Sequence, residues 1–131
     1  MAHRVIDRHR KRRDRDKALA EAYAVVDARD GGHCRVTGRY TQPGAVDPRV
    51  RREHHHLSGR NVAPEDRANP CRIITTCAQV HQLLHAKLLL YEGDNANERI
   101  VFHWAESVKP EDRPFQIKSK RWSQNEDEEC A

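Results

Sequence analysis

The spacing of apolar residues predicts an amphipathic helix near the start of the chain. Within residues 18–30, apolar positions recur every three to four residues, as they do on one face of a helix. Gly31 and Gly32 follow directly, and glycine ends a helix at low cost. Residues 3–17 are too charged to pack, so they form either a frayed helix or a disordered arm. The apolar stripe consists of Leu19, Ala22, Tyr23 and Val26.

A hairpin and a second helix are predicted in the middle of the chain. Residues 49–57 contain no breaker and predict a strand, and a polar loop separates them from a return strand at 71–75. A helix capped by Thr75 or Thr76 then runs to about Tyr91. Its apolar stripe consists of Cys77, Val80, Leu84 and Leu88.

Two short strands are predicted toward the C-terminal end. Residues 99–104 alternate between apolar and polar side chains, which is typical of a half-buried strand. One more strand is predicted around Phe115–Lys118. The chain has 131 residues, of which 37% are hydrophobic and 34% charged, so a single domain with a small core is expected. The predicted fold class is therefore α+β.

Charge is distributed unevenly along the chain. The formal net charge is +4; residues 1–17 carry eight basic residues against three acidic ones, whereas residues 123–131 carry four acidic residues and no basic one. This pattern predicts a basic N-terminal arm (1–17), a domain (18–122) and an acidic disordered tail (123–131). A basic arm on a basic body favours a polyanionic partner such as nucleic acid. The alternative is an ordinary solvated helix end.

No segment has the pattern of a membrane span or a secretion signal. The longest apolar run, LLHAKLLLY, is interrupted by a histidine and a lysine and is far shorter than the ~20 residues that a span needs. The charged N-terminus has no apolar signal region, so we expect a cytoplasmic protein. Four cysteines in that compartment favour free thiols or metal ligands over a disulfide framework.

Histidines cluster at two places. His81 and His85 are four residues apart on the predicted helix, so both rings lie on one face and could bind one metal ion. The alternative is a pair of surface histidines. The strand segment EHHHL places His54 and His56 on one side and His55 on the other, because strand side chains alternate. One of these three is expected to be a bystander, and the two clusters together predict one shared metal site.

The ordered set of motifs resembles the HNH endonucleases, which have a ββα-metal (His-Me finger) fold. EHHHL resembles the family's His-His followed by an aliphatic residue, and CAQVHQLLH resembles its Cys-x-x-Cys-His-x-x-x-His. The segment DARDGGHCRVTGR is similar to the family's lead-in, and YEGDNANERIVFHW is similar to a trailing strand in some bacterial and phage-encoded members. The resemblance covers residues 24–104. It implies a ββα core with an N-terminal helix and extra short C-terminal strands.

The resemblance also implies roles for individual residues. His55, His81 and His85 would hold one divalent metal ion, and His56 would be the general base that activates water to hydrolyse a DNA phosphodiester. The ion would be Mg²⁺, Mn²⁺, Ni²⁺, Co²⁺ or Zn²⁺, and three imidazoles favour a transition metal. The arginines expected to bind phosphate are Arg49, Arg51, Arg52, Arg60 and Arg72.

The chain departs from the family pattern in its cysteines. Cys34 and Cys77 lack their second cysteines, since Thr37 and Val80 stand in those places. Four thiolates make a structural zinc site and two do not. We therefore expect no structural zinc, with Cys34 and Cys77 packed as small apolar residues. A site completed by Cys71 or His33 is the alternative.

The chain also departs at the central asparagine. The family spacing places that asparagine at Arg72, whereas the nearest asparagine is Asn69, three residues earlier. The family's asparagine orients the base through the backbone. Asn69 would do so if the loop bulges, and otherwise it is an ordinary loop residue before a proline.

The leading hypothesis is a metal-dependent endonuclease that nicks or cuts double-stranded DNA, in a bacterial or phage-infected cell, as a monomer or weak homodimer. The altered asparagine position keeps open a catalytically weak or inactive DNA-binding module of the same fold. A third hypothesis is a small metal-stabilised domain with a protein partner. RNA also remains open as a substrate.

Overall fold

A computed structural model describes residues 2–57 and 67–118 of the chain. Within these ranges the fold is mixed α+β, with two α-helices and two antiparallel sheets of two strands each. The predicted acidic tail and Arg60 lie outside the described residues. In chain order the elements are α1 (Ala2–Asp30), β1 (Arg52–His56), β2 (Ile73–Cys77), α2 (Ala78–His85), β3 (Leu89–Glu92) and β4 (Val101–Trp104).

The predicted arm and the first predicted helix form one continuous helix, α1. The helix ends where predicted, because Gly31 and Gly32 both adopt positive φ angles, 62° and 73°. Its C-terminal half packs Ala22 and Val26 against Ile73 of β2. Residues 8–18 are all exposed, so the N-terminal half of α1 projects from the body.

β1 and β2 form the predicted hairpin in a register that pairs His55 with Ile74. The return strand begins two residues later than predicted, because Pro70–Arg72 forms a 3-10 turn with Asn69 as its N-cap. α2 follows β2 without a loop, and Cys77, rather than Thr75 or Thr76, occupies its N-cap position. A hairpin thus leads directly into a helix that packs across it.

α2 is shorter than predicted. It ends at His85 rather than near Tyr91, and Lys87 adopts a positive φ of 60° just beyond it. Residues 89–92 form β3, which pairs antiparallel with β4 and buries Leu89 against the core. The apolar run in this region suits either a helix or a strand, and pairing with 101–104 decides in favour of a strand. Leu88, which was predicted on the helical stripe, is 38% exposed.

The C-terminal prediction was correct for one strand and wrong for the other. β4 lies within the predicted segment 99–104. Residues 115–118 form no strand, although the Lys118 amide donates to the Val36 carbonyl over 2.7 Å and Phe115 packs on Trp104. Among the described residues, neither helix has the length and apolar character required to cross a membrane.

A buried ionic network joins α1 to the hairpin. Asp30 is 1% exposed, and its carboxylate accepts hydrogen bonds from the side chains of Arg29 and Arg35 and from the Thr75 amide. Arg29 also donates to the Ile73 carbonyl over 2.6 Å. These hydrogen bonds hold the C-terminal end of α1 against β2, and so they position the hairpin whose first strand carries His54, His55 and His56.

Candidate metal centre

Three of the predicted ligands converge on one point. His55 projects from β1, while His81 and His85 project from α2, and one nitrogen of each ring lies within 4.8 Å of the others. The centroid of the His55 ring is 5.6 Å from that of His81 and 5.5 Å from that of His85. The shared cluster expected from the two groups of histidines is confirmed, and its strand member is His55, as the resemblance to HNH endonucleases implied.

His55 is the innermost of the three rings. It is 8% exposed, and neither of its nitrogens has a hydrogen-bond partner among the described residues. Burial, followed by the proximity of His81 and His85, lowers the pKa of His55 to about 3. A buried polar group without a partner costs roughly 1–3 kcal/mol. A cation bound to the neutral ring would remove that cost, so the residues fit a metal ion.

His81 is oriented by a carboxylate that the sequence analysis missed. Its Nδ1 lies 2.5 Å from Glu53 Oε2, and a carboxylate only accepts, so Nδ1 carries the proton and Nε2 carries the lone pair. Nε2 of His81 in turn lies 2.9 Å from Nε2 of His85. Carboxylate–histidine pairs of this kind set the tautomer of metal-binding histidines. Glu53 was identifiable in principle, since it is two residues before His55 on the same face of β1.

The cluster is open to solvent on one side. His85 is exposed and His81 is half-buried, so exposure increases from His55 outward. Tyr91 closes the inner side: its ring meets His55 edge-on at 5.5 Å, and its hydroxyl donates to the Leu57 carbonyl. Water or a phosphate oxygen could therefore reach an ion past His85.

His54 is the expected bystander. It points to the opposite face of β1, where Nε2 lies 2.7 Å from Asp27 Oδ1 and the ring stacks on Tyr23 with centroids 4.0 Å apart. Both partners belong to α1. His54 therefore fastens the hairpin to that helix.

His56, the predicted general base, also lies on the α1 side, as parity requires. Its Nε2 is 3.0 Å from the Arg67 carbonyl oxygen and must donate to it, which leaves the lone pair of the neutral ring on Nδ1. Burial is the largest cause of its lowered pKa; the Arg67 carbonyl opposes the shift, while His54 and His81 add to it. His56 is not a member of the three-histidine cluster, and its role as base stays a prediction.

Asn69 stabilises the turn before β2. Its Oδ1 accepts from the Cys71 amide over 3.0 Å, and its carbonyl accepts from the Arg72 amide. The carbonyl that orients His56 belongs to Arg67, two residues earlier. The Arg72 side chain is bound to Asp94, so it does not orient His56 either.

The predicted phosphate-binding arginines differ in availability. Arg49 forms an exposed ion pair with Asp47, and Arg51 lies 3.7 Å from Glu53. Arg52 is different, because its guanidinium donates to the side chain and carbonyl of Thr41 and its side chain is only 12% exposed. These contacts leave Arg52 less available to phosphate than Arg49 or Arg51, and its phosphate-binding role stays a prediction.

No protein-family model, curated protein or solved structure matches the chain. The resemblance to HNH endonucleases therefore depends on the sequence motifs alone and stays an expectation.

The cysteines follow the prediction in part. Cys34 and Cys77 are free thiols with no solvent exposure and pack within the main core, as expected of small apolar residues. Cys71 is disulfide-bonded, so the expectation of free thiols or metal ligands is wrong for this cysteine. Among the described residues, the three histidines are the one group of potential metal ligands. The absence of a structural zinc stays a prediction.

Proposed function

We propose that this protein is a metal-dependent endonuclease that hydrolyses DNA phosphodiester bonds, with β1, β2 and α2 as a ββα-metal core. The observation that carries the proposal is the convergence of His81 and His85 on the buried ring of His55, whose nitrogens have no hydrogen-bond partner within residues 2–57 and 67–118. Two surface histidines with an unrelated strand histidine would have no reason to meet there.

His55, His81 and His85 would hold the ion. When bound, it would polarise a phosphate oxygen and stabilise the charge that develops on the leaving oxygen. Three imidazoles favour Mn²⁺, Co²⁺, Ni²⁺ or Zn²⁺ over Mg²⁺. Glu53 keeps His81 in the tautomer that presents Nε2, and Tyr91 limits solvent access to the inner side.

His56 would take the proton from the attacking water. The Arg67 carbonyl holds its Nε2–H, so Nδ1 is the atom that accepts the proton. Its lowered pKa keeps the ring neutral at pH 7, the state that a general base requires. His56 is the last residue of β1, so a phosphodiester lying across the end of the strand could face both this ring and the three-histidine cluster.

The test is cleavage of supercoiled plasmid with Mg²⁺, Mn²⁺, Co²⁺, Ni²⁺ or Zn²⁺ supplied separately. The wild-type chain should relax or linearise the plasmid with at least one metal. His55→Ala and His56→Ala should each reduce the rate at least about 100-fold, in line with loss of a metal ligand or a general base. His103→Ala is the matched control, since this exposed histidine of β4 lies outside the cluster. Failure of the wild-type chain to cleave with any metal would refute the proposal.

The second candidate is a DNA-binding module without turnover. The observation that favours it is the position of His56, whose ring faces α1 on the side of β1 opposite His55. It predicts salt-sensitive duplex binding with no cleavage under any of the five metals.

A further inference from the structure

We propose that one face of the projecting half of α1, together with residues 67–68, forms a groove that binds the phosphodiester backbone of duplex DNA and leads it to His56. The inference deepens the proposed function, on which its choice of DNA as the occupant rests. It specifies which basic residues of the N-terminal region contact phosphate and which do not.

The groove lies between α1 and the segment that precedes the 3-10 turn. Its volume is about 590 Å³, and its lining includes three arginines against one carboxylate. The charged lining residues are Arg12, Arg15, Arg67 and Asp16, and the apolar floor includes Leu19 and Ala68. Guanidinium groups form paired hydrogen bonds with phosphate, so the lining is complementary to a nucleic-acid backbone.

Helix geometry explains why this face of α1 looks into the groove. At 3.6 residues per turn, Arg12, Arg15 and Leu19 share a face with Ala22 and Val26. The latter two are buried against Ile73, with Ala68 packed on the same cluster. The basic face therefore continues the face that docks onto the body, and the core contact fixes its direction.

Two other basic residues of α1 point away from the groove. Arg10 and Arg13 are roughly 120–180° around the helix from the groove face, and both are exposed. They carry the same charge on the same helix but do not line the groove. This arrangement separates a specific groove from a general effect of positive charge.

The inner end of the groove meets the predicted general base. The Arg67 carbonyl oxygen lies 3.0 Å from His56 Nε2, so one residue supplies both a guanidinium to the groove and the contact that orients the ring. Tyr23, one turn beyond Leu19 on α1, meets the His56 ring edge-on at 6.2 Å. A strand held by Arg12 and Arg15 would thus be directed toward His56.

The experiment compares two double variants of the full-length chain, Arg12→Gln/Arg15→Gln and Arg10→Gln/Arg13→Gln. Both remove two charges from the same helix and introduce the same residue. Binding to a short fluorescent DNA duplex is measured in EDTA at several salt concentrations, so that cleavage does not interfere. The groove pair, Arg12→Gln/Arg15→Gln, should weaken DNA binding about tenfold or more and reduce the slope of log affinity against log salt by about 2. The outer pair, Arg10→Gln/Arg13→Gln, should change DNA binding less than about threefold.

Circular dichroism of both variants checks that α1 is intact. Equal losses for the two pairs, no loss for the groove pair, or no duplex binding by the wild-type chain would each overturn the inference. A poly-glutamate peptide that competes as well as DNA would overturn the assignment of the occupant. If only the groove pair loses DNA binding and the wild-type chain never cleaves plasmid, the groove proposal stands and the nuclease proposal is refuted. If the wild-type chain cleaves plasmid and the two pairs lose DNA binding equally, the nuclease proposal stands and the groove proposal is refuted.

Discussion

At the scale of single residues, the three imidazoles of the cluster are held in different ways. His81 is fixed by Glu53, His85 contacts His81, and His55 is buried with no partner for its nitrogens in the described part of the chain. Because His55 is also the least exposed of the three rings, the free-energy cost of leaving the centre without a metal ion falls mainly on His55.

Replacement of Glu53 by Gln should weaken metal binding. Without the carboxylate, nothing selects the His81 tautomer with Nε2 free, and outer-sphere changes of this kind typically reduce affinity 10–100-fold. Competition with a chromophoric chelator for Co²⁺ or Zn²⁺ would measure the change. Glu92→Gln, an exposed glutamate of β3, is the control. Equal affinities of Glu53→Gln and the wild-type chain would show that the contact does not support the site.

The metal-free chain should lose stability in acid through His55. The folded-state pKa of about 3 lies below the ordinary 6.5, so the unfolded chain takes up the proton first. The contribution is fully present above pH 6.5 and is lost as the pH falls toward 3. The loss amounts at most to about 4–5 kcal/mol. Urea unfolding in EDTA across this range would reveal it.

His55→Leu supplies the control for the acid effect. It keeps an apolar side chain of similar size in the buried position and removes the titrating group. The variant should show a flatter dependence of the unfolding free energy on pH between 6.5 and 3. An identical slope in both chains would assign the acid sensitivity to other groups.

At this scale the sequence predicted well which histidines lie together and did not reveal which side chains are available. Helical spacing placed His81 and His85 on one face, parity separated His55 from its two neighbours, and the family resemblance selected His55. A sequence does not reveal whether a guanidinium is already bound, as that of Arg52 is by Thr41. Glu53 was missed although parity placed it beside His55.

At the scale of elements, the hairpin and α2 were predicted and the end of α2 was not. β1 and β2 follow from a run without breakers and a turn-rich loop. The run after His85 contains apolar residues that satisfy a helix or a strand equally, and only pairing with the distant β4 selects a strand. Long-range pairing of this kind is invisible to local periodicity.

The lock between α1 and β2 predicts a large destabilisation in Asp30→Ala. Removing the carboxylate takes away the hydrogen bonds that Asp30 accepts from Arg35, which is 2% exposed, and from the Thr75 amide. Loss of one member of a buried ionic pair typically costs 3–5 kcal/mol. Urea denaturation should show this loss in Asp30→Ala, and a change within about 0.5 kcal/mol in Asp14→Ala, an exposed site on the same helix. A small effect at Asp30 would mean that water replaces the carboxylate.

At the scale of the whole molecule, the uneven distribution of charge along the chain was predicted, but the structure of its basic N-terminal segment was not. These residues were expected to form either a frayed helix or a disordered arm, and they form the N-terminal half of α1. Composition alone does not predict whether this segment is helical. The C-terminal half of α1 is packed against β2 and supplies the helix nucleus from which the N-terminal half propagates.

Metal binding should stabilise the entire fold, because the ligands come from β1 and α2 and are brought together only by folding. A metal concentration 100 times the Kd adds about 2.7 kcal/mol to the free energy of unfolding. Thermal denaturation should therefore shift upward by several degrees with the preferred metal. His85→Ala should remove most of this shift and His103→Ala should retain it. A shift of equal size in all three chains would place the metal elsewhere.

The graded exposure of the three rings has a kinetic consequence. An ion that arrived from solvent would meet His85 first and His55 last, because exposure decreases from His85 through His81 to His55. Departure would follow the same route in reverse, so a bulky chelator would act either after spontaneous release or by attack at His85. We therefore expect slow exchange of the bound ion even where the equilibrium affinity is modest, with the exchange rate set at His85.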